Sequence, residues 1–233
     1  MTRQYAFYFD GRFCSGCKAC QVACKDQNGL EIGILWRRVY EVTGGGWEQS
    51  GTTWRSTVFS YHLSIACNHC EKPICAEVCP TRAITKRADG IVLLDSKRCT
   101  GCKYCSWACP YGALQFNPAS GRMTKCDFCS ERLDQGLPPA CVAACPLRVL
   151  EFGELSELEA RYGQAAPIYP LPNPGLTSPG LIISPHPDAQ RAAGEGAQVA
   201  NWEEIRPGAL RLQEIEQLAR QAALVEQEKA NQA

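Results

Sequence analysis

An excess of charge of either sign is missing from this sequence: 24 lysines and arginines stand against 24 aspartates and glutamates, for a formal net charge of zero. So balanced a protein has no global pull toward polyanions, and no nucleic-acid partner is expected. Long apolar runs are missing too. No uncharged apolar stretch approaches the roughly 18 residues of a membrane helix, so no direct membrane span is expected. The start, Met1 to Asp10, lacks a basic region followed by an apolar run and a small-residue cleavage site, so no secretory signal of its own is expected. What is present is 233 residues, 45% of them hydrophobic, enough for one or two compact domains.

Against these absences stands one excess, sixteen cysteines. They fall into four groups of four: Cys14, Cys17, Cys20 and Cys24; Cys67, Cys70, Cys75 and Cys79; Cys99, Cys102, Cys105 and Cys109; Cys126, Cys129, Cys141 and Cys145. None is left over. Groups one and three read C-x2-C-x2-C-x3-C, the run in which three close thiolates hold one iron-sulfur cluster and the fourth reaches another. The middle gap opens to four residues in group two and to eleven in group four. A cuboidal cluster needs four soft ligands arriving from different directions, and a tight loop presents only three. Pro80, Pro110 and Pro146 follow the last cysteines of groups two, three and four, marking turns away from the site, whereas group one has Lys25 there.

Two other uses of cysteine fit less well. A disulfide framework belongs to small secreted proteins, and spacings of two residues repeated in every group favour ligation. Structural zinc uses two pairs per ion and no third cysteine at close spacing.

Between the groups a unit repeats: cysteine loop, short strand, turn, short strand. After Cys79 come Ala83-Ile84-Thr85, a turn at Asp89-Gly90 and Ile91-Val92-Leu93-Leu94; after Cys109 come Ala113 to Phe116, a turn near Asn117 to Gly121 and Met123-Thr124. Val22-Ala23-Cys24 and Trp107-Ala108-Cys109 are expected on short helical turns. Residues 25–66 form the largest insertion, expected as a hairpin covering the clusters, with Phe59, Tyr61, Leu63 and Ile65 facing in and Ser60, His62 and Ser64 facing out. Beyond Cys145, seven prolines between Pro167 and Pro187 predict an extended surface strap, after a short helix, within 156–200. Leu212, Ile215, Leu218, Ala222 and Val225 predict a helical tail in 201–233.

The order of the groups, with Cys14-Ser15-Gly16-Cys17-Lys18-Ala19-Cys20, Arg38-Val39-Tyr40-Glu41, Cys67-Asn68-His69-Cys70-Glu71, Cys109-Pro110-Tyr111-Gly112, Met123-Thr124-Lys125-Cys126-Asp127 and Cys145-Pro146-Leu147-Arg148, resembles the iron-sulfur subunits of the complex molybdopterin oxidoreductases, and among them the dimethyl sulfoxide reductase family. The resemblance covers roughly the first 190 residues. It implies an α+β fold of two ferredoxin-like 4Fe-4S modules in a core spanning 1–155. Groups one and four would share one module and groups two and three the other, with the last cysteine exchanged within each pair. On that basis Cys14, Cys17, Cys20 and Cys145 hold one cluster; Cys126, Cys129, Cys141 and Cys24 a second; Cys67, Cys70, Cys75 and Cys109 a third; Cys99, Cys102, Cys105 and Cys79 a fourth. Nitrate reductase relatives carry Trp for one group-three ligand and hold a three-iron cluster; Cys102 stands here, so four 4Fe-4S clusters are expected. The resemblance further implies a large molybdopterin-type catalytic subunit and an integral membrane anchor subunit as partners, in anaerobic respiration. The protein would then be a peripheral, membrane-associated subunit, with the face left open.

No catalytic residue is expected, since a cluster passes one electron with little movement of its ligands. Two competing readings are an iron-sulfur subunit of a soluble complex with another catalytic partner, and a free polyferredoxin. Lys18, Lys72, Lys103 and Lys125 lie in or beside the groups and are read as solvated, with a local rise in cluster potential as the alternative. His69 is read as a sulfide donor or as filling, not as a ligand. Tyr104, Trp107, Tyr111 and Phe128 are read as packing that excludes water from the clusters.

Overall fold

The computed structural model describes residues 3–164, 168–192 and 196–205, and the expected tail helix beyond Ile205 lies outside them. Twelve strands are found among these residues: β1 (Tyr5–Asp10), β2 (Arg38–Gly44), β3 (Trp47–Ser50), β4 (Thr53–Ser56), β5 (Phe59–Ile65), β6 (Ile84–Lys86), β7 (Val92–Leu94), β8 (Gln115–Asn117), β9 (Arg122–Thr124), β10 (Leu150–Glu154), β11 (Leu181–Ser184) and β12 (Gln198–Val199). The helices are short: α1 (Ala19–Gln27), α2 (Ile74–Glu77), α3 (Tyr104–Ala108), α4 (Ser130–Asp134), α5 (Ala140–Ala143), α6 (Leu155–Tyr162), α7 (Ala189–Ala192) and α8 (Trp202–Ile205). This is a mixed α and β protein built on small sheets.

The apolar run Tyr5-Ala6-Phe7-Tyr8-Phe9 forms the central strand of a sheet ordered β10-β1-β11, antiparallel to β10 and parallel to β11. A central strand buries both faces. Phe7 and Phe9 point into the main core, and Ala6 and Tyr8 pack on the other side with Leu158 of α6 and Ile182. The proline-rich stretch is therefore more than a surface strap. Its prolines hold it out of helix, and Leu181, Ile182 and Ile183 add a buried strand where β1 would otherwise present an open edge.

The insertion supplies β2 and β5 of the second sheet, ordered β12-β2-β5, with Arg38 opposite Ile65 and Gly44 opposite Phe59. Its alternation holds for Phe59, Tyr61, Leu63 and Ile65, all buried, and fails at Ser64, which is also buried. Between β2 and β5 the β3-β4 hairpin stands fully exposed. Two short hairpins, β6-β7 and β8-β9, fall where the repeated unit put them.

The helices pair by group. α1, carrying Cys20 and Cys24, packs on α5, carrying Cys141; α2, carrying Cys75, packs on α3, carrying Cys105. Cysteines of groups one and four thus lie on one pair of packed helices, and cysteines of groups two and three on another.

Candidate iron-sulfur centres

The cysteine loops share one backbone device. In all four groups the residue before the second cysteine is left-handed: Gly16 (φ 69°), His69 (43°), Gly101 (71°) and Phe128 (63°). The reversal bends the loop so that its two flanking cysteines face the same space. In groups one and three the next residue but one, Lys18 or Lys103, is left-handed as well and opens α1 or α3. A second device follows the remote cysteines. Arg82, Gly112 and Arg148 donate their N–H to the carbonyls of Cys79, Cys109 and Cys145 at 3.1, 3.2 and 3.3 Å, each in a left-handed conformation, so the three Cys-Pro segments make the same turn. Cys24, without proline, stays inside α1.

Three cavities are lined by cysteines from two groups each. Cys145 joins Cys14, Cys17 and Cys20 around the first; Cys109 joins Cys67, Cys70 and Cys75 around the second; Cys79 joins Cys99, Cys102 and Cys105 around the third. The remaining four interact electrostatically, Cys24 with Cys141 and Cys129, and Cys126 with Cys24 and Cys141. Neighbouring sets touch. Cys20 senses Cys141, and Cys67 and Cys126 share a small core with Ala66 and Ala113. Cys75 and Cys105 share a further core with Cys79, Cys99 and Cys109, so the cysteine sets touch one after another in a row, with exposed Cys17 in the first and exposed Cys102 in the last.

The donor chemistry fits iron-sulfur clusters. All sixteen cysteines are free thiols. Burial pushes the thiols of Cys14, Cys70 and Cys105 up to about 11 and those of Cys24 and Cys75 to about 12. Groups gathered by fours with such thiols become thiolates when metal cations supply the opposing charge. Backbone N–H groups already aim at sulfur: Ala83 at Cys79 (3.3 Å), Met123 at Cys99 (3.4 Å) and Phe128 at Cys126 (3.4 Å). Among the described residues, the buried side-chain atoms without a partner are Arg37 Nε and Nη2, Arg38 Nε, Asn68 Nδ2 and His69 Nε2. Every one is a nitrogen that can donate, which is what a group rich in acceptor sulfides would satisfy.

Several readings of the sequence need correction. Lys125 is buried, donating to the carbonyls of Val92 and Cys126. Lys18 is half-buried and tied to Glu204, whereas Lys72 and Lys103 are exposed as expected, Lys103 with its Nζ 4.1 Å from the centre of the Phe116 ring. Tyr111 and Phe128 do pack inside, but Tyr104 and Trp107 are 52% and 74% exposed, since α3 is too short and peripheral to bury both faces. His69 is fully buried; its Nδ1 accepts from Val92 N–H at 3.0 Å, and burial, with Lys125 and Arg37 near, keeps its ring neutral. Arg37 and Asn68 were given no role from the sequence, and Ser64 was expected to face out. Their only signal was proximity to cysteines or to a strand.

Cysteines gathered from two groups around each of three cavities, with buried unpartnered donors nearby, define an iron-sulfur electron-transfer protein. A family model described as "4Fe-4S dicluster domain" matches residues 58–155. The sequence is 45% identical over 205 residues to the B subunit of anaerobic dimethyl sulfoxide reductase from Escherichia coli, covering 88% of this protein and 100% of that one. It is 42% identical to the thiosulfate reductase electron transfer subunit of Salmonella typhi, over 68% of this protein and 80% of the other. The B subunit of polysulfide reductase from Wolinella succinogenes is 36% identical, over 80% and 96%. This protein belongs to the family of iron-sulfur electron-transfer subunits that includes the dimethyl sulfoxide reductase B subunit. Members of this family are not catalytic by themselves.

Proposed function

We propose that this protein relays single electrons through four 4Fe-4S clusters between a large molybdopterin-type catalytic subunit and a membrane quinol-oxidising subunit. The carrying observation is the lining of the three cavities, each of which takes three cysteines from one group and the remote cysteine of its partner group. This supports the exchanged ligand sets: Cys14, Cys17, Cys20 and Cys145; Cys24, Cys126, Cys129 and Cys141; Cys67, Cys70, Cys75 and Cys109; Cys79, Cys99, Cys102 and Cys105. It likewise favours two ferredoxin-like modules within 1–155, with 25–66 inserted between them, and a C-terminal part that wraps the core.

Each cluster, when bound, stores and releases one electron. The protein's own residues hold the thiolates apart, exclude water with Phe128 and Tyr111, and direct N–H groups at sulfur. Cys17 and Cys102, the two exposed ligands, mark the ends of the row as the places where electrons enter and leave. No helix among the described residues is long and apolar enough to cross a membrane, which suits a peripheral place beside a separate integral anchor subunit.

The test compares single variants in the intact complex by electron paramagnetic resonance. Cys109→Ala and Cys75→Ala are expected to abolish the same signal, and Cys105→Ala a different one. If Cys109→Ala and Cys105→Ala share a lost signal, the exchange is wrong.

A further inference from the structure

Arg37, in the bend just before β2, and Arg38, the first residue of β2, are each only 2% exposed. Neither makes an ion pair with a carboxylate among the described residues. A buried guanidinium is always charged and strongly unfavourable without an anion nearby. Two adjacent ones call for two anions.

The two side chains reach different partners. Arg37 donates from Nη1 to Ser64 Oγ at 3.2 Å and lies over the Phe7 ring at 4.6 Å. Its charge acts on Cys141, Cys20, Cys126 and Cys24. Three of these belong to the set completed by Cys129, and the fourth to the first set. Arg38 donates from Nη2 to the Tyr111 carbonyl at 2.9 Å, just past Cys109, whose thiol its charge pulls down against burial. Arg37 Nε and Nη2 and Arg38 Nε are buried with no protein acceptor among the described residues.

A cluster held by four thiolates is a net anion and becomes more negative on reduction. A fixed cation beside it, donating to its sulfurs, stabilises the reduced form more and raises its potential. We infer that Arg37 and Arg38 set the potentials of the two inner clusters. Arg37 raises that of the cluster on Cys24, Cys126, Cys129 and Cys141, with a smaller effect on the first. Arg38 raises that of the cluster on Cys67, Cys70, Cys75 and Cys109. The cluster at the Cys102 end feels neither. This inference rests on the four-cluster reading above.

The experiment is a redox titration of the intact complex followed by electron paramagnetic resonance, with iron content measured in parallel. The parent protein comes first: fewer than four signals there defeats the four-cluster reading itself, whatever the variants do. With four present, Arg37→Gln is expected to lower the midpoint of the second cluster most and the first less. Arg38→Gln is expected to lower the third, and in both variants the fourth stays put. Arg37→Lys and Arg38→Lys, which keep the charge, remain close to the parent. Unmoved potentials, a common shift of all four, or a lysine variant falling as far as the glutamine one overturns the inference. If Arg37→Gln fails to hold the second cluster, retention in Arg37→Lys supports the role of charge. Loss in both makes Arg37 a packing element and overturns it.

Discussion

The Ser64 hydroxyl lies 3.3 Å from the Cys20 sulfur. Its oxygen also accepts from Arg37 at 3.2 Å, so one hydroxyl links a buried cation to a ligand of the first set. With Cys20 as thiolate, the direction is fixed: Arg37 donates to Ser64, and Ser64 to sulfur. Ser64→Ala removes a hydrogen bond to a ligand, and the first cluster is expected to titrate at lower potential while the third and fourth do not move. It also strips Arg37 of its one side-chain acceptor among the described residues, a loss of about 1–3 kcal/mol in chemical denaturation. A first cluster that titrates as in the parent would refute the assignment of this bond.

How far the sequence foretold these features depends on whether the cause was local. Group spacing, the hairpins after Cys79 and Cys109, and the turn after each Cys-Pro are set by neighbouring residues, and all could be read directly. The parallel pairing of β1 with β11 joins residues more than 170 positions apart, and the prolines around β11 pointed instead to a surface course. Nothing in the sequence around Arg37 and Arg38 marked them as buried. Only an acceptor-rich partner explains their burial, and a partner of that kind leaves no mark on hydrophobic periodicity. Ser64 misled for the same reason, being polar and buried to serve Cys20.

Gly101 has a requirement that Gly121 lacks. Both are left-handed, at φ 71° and 66°, but a Cβ on Gly101 would meet the Gly121 carbonyl oxygen at 2.2 Å, while one on Gly121 meets nothing within 4 Å. Gly121→Ala therefore carries only the backbone cost, about 1–2 kcal/mol. Gly101→Ala adds a collision with backbone and must displace the loop between Cys99 and Cys102. It is expected to lower the unfolding midpoint further and to reduce iron at the fourth set, with the other three retained. Equal effects of the two substitutions on iron content would contradict this.

Glu204 of α8 reaches the group-one loop, pairing with Lys18, accepting from Gln21 Nε2 at 3.3 Å and facing Asn201. Burial pushes its carboxyl up, but Lys18, Gln21 and Asn201 together outweigh this and hold it below its ordinary value. A group with a depressed value when docked stabilises the docked state at neutral pH, and that contribution is lost as the pH falls through the depressed value. Both partners are about a third exposed, so solvent screening limits the pair to about 1 kcal/mol or less. Amide protection at Trp202 to Ile205, corrected for intrinsic exchange, is expected to be level near neutrality and to decline below the ordinary glutamate range. Glu204→Gln should give weaker protection at neutral pH and no such decline. Should parent and variant give superimposable profiles, Glu204 would not be what fastens α8 to the first cysteine loop.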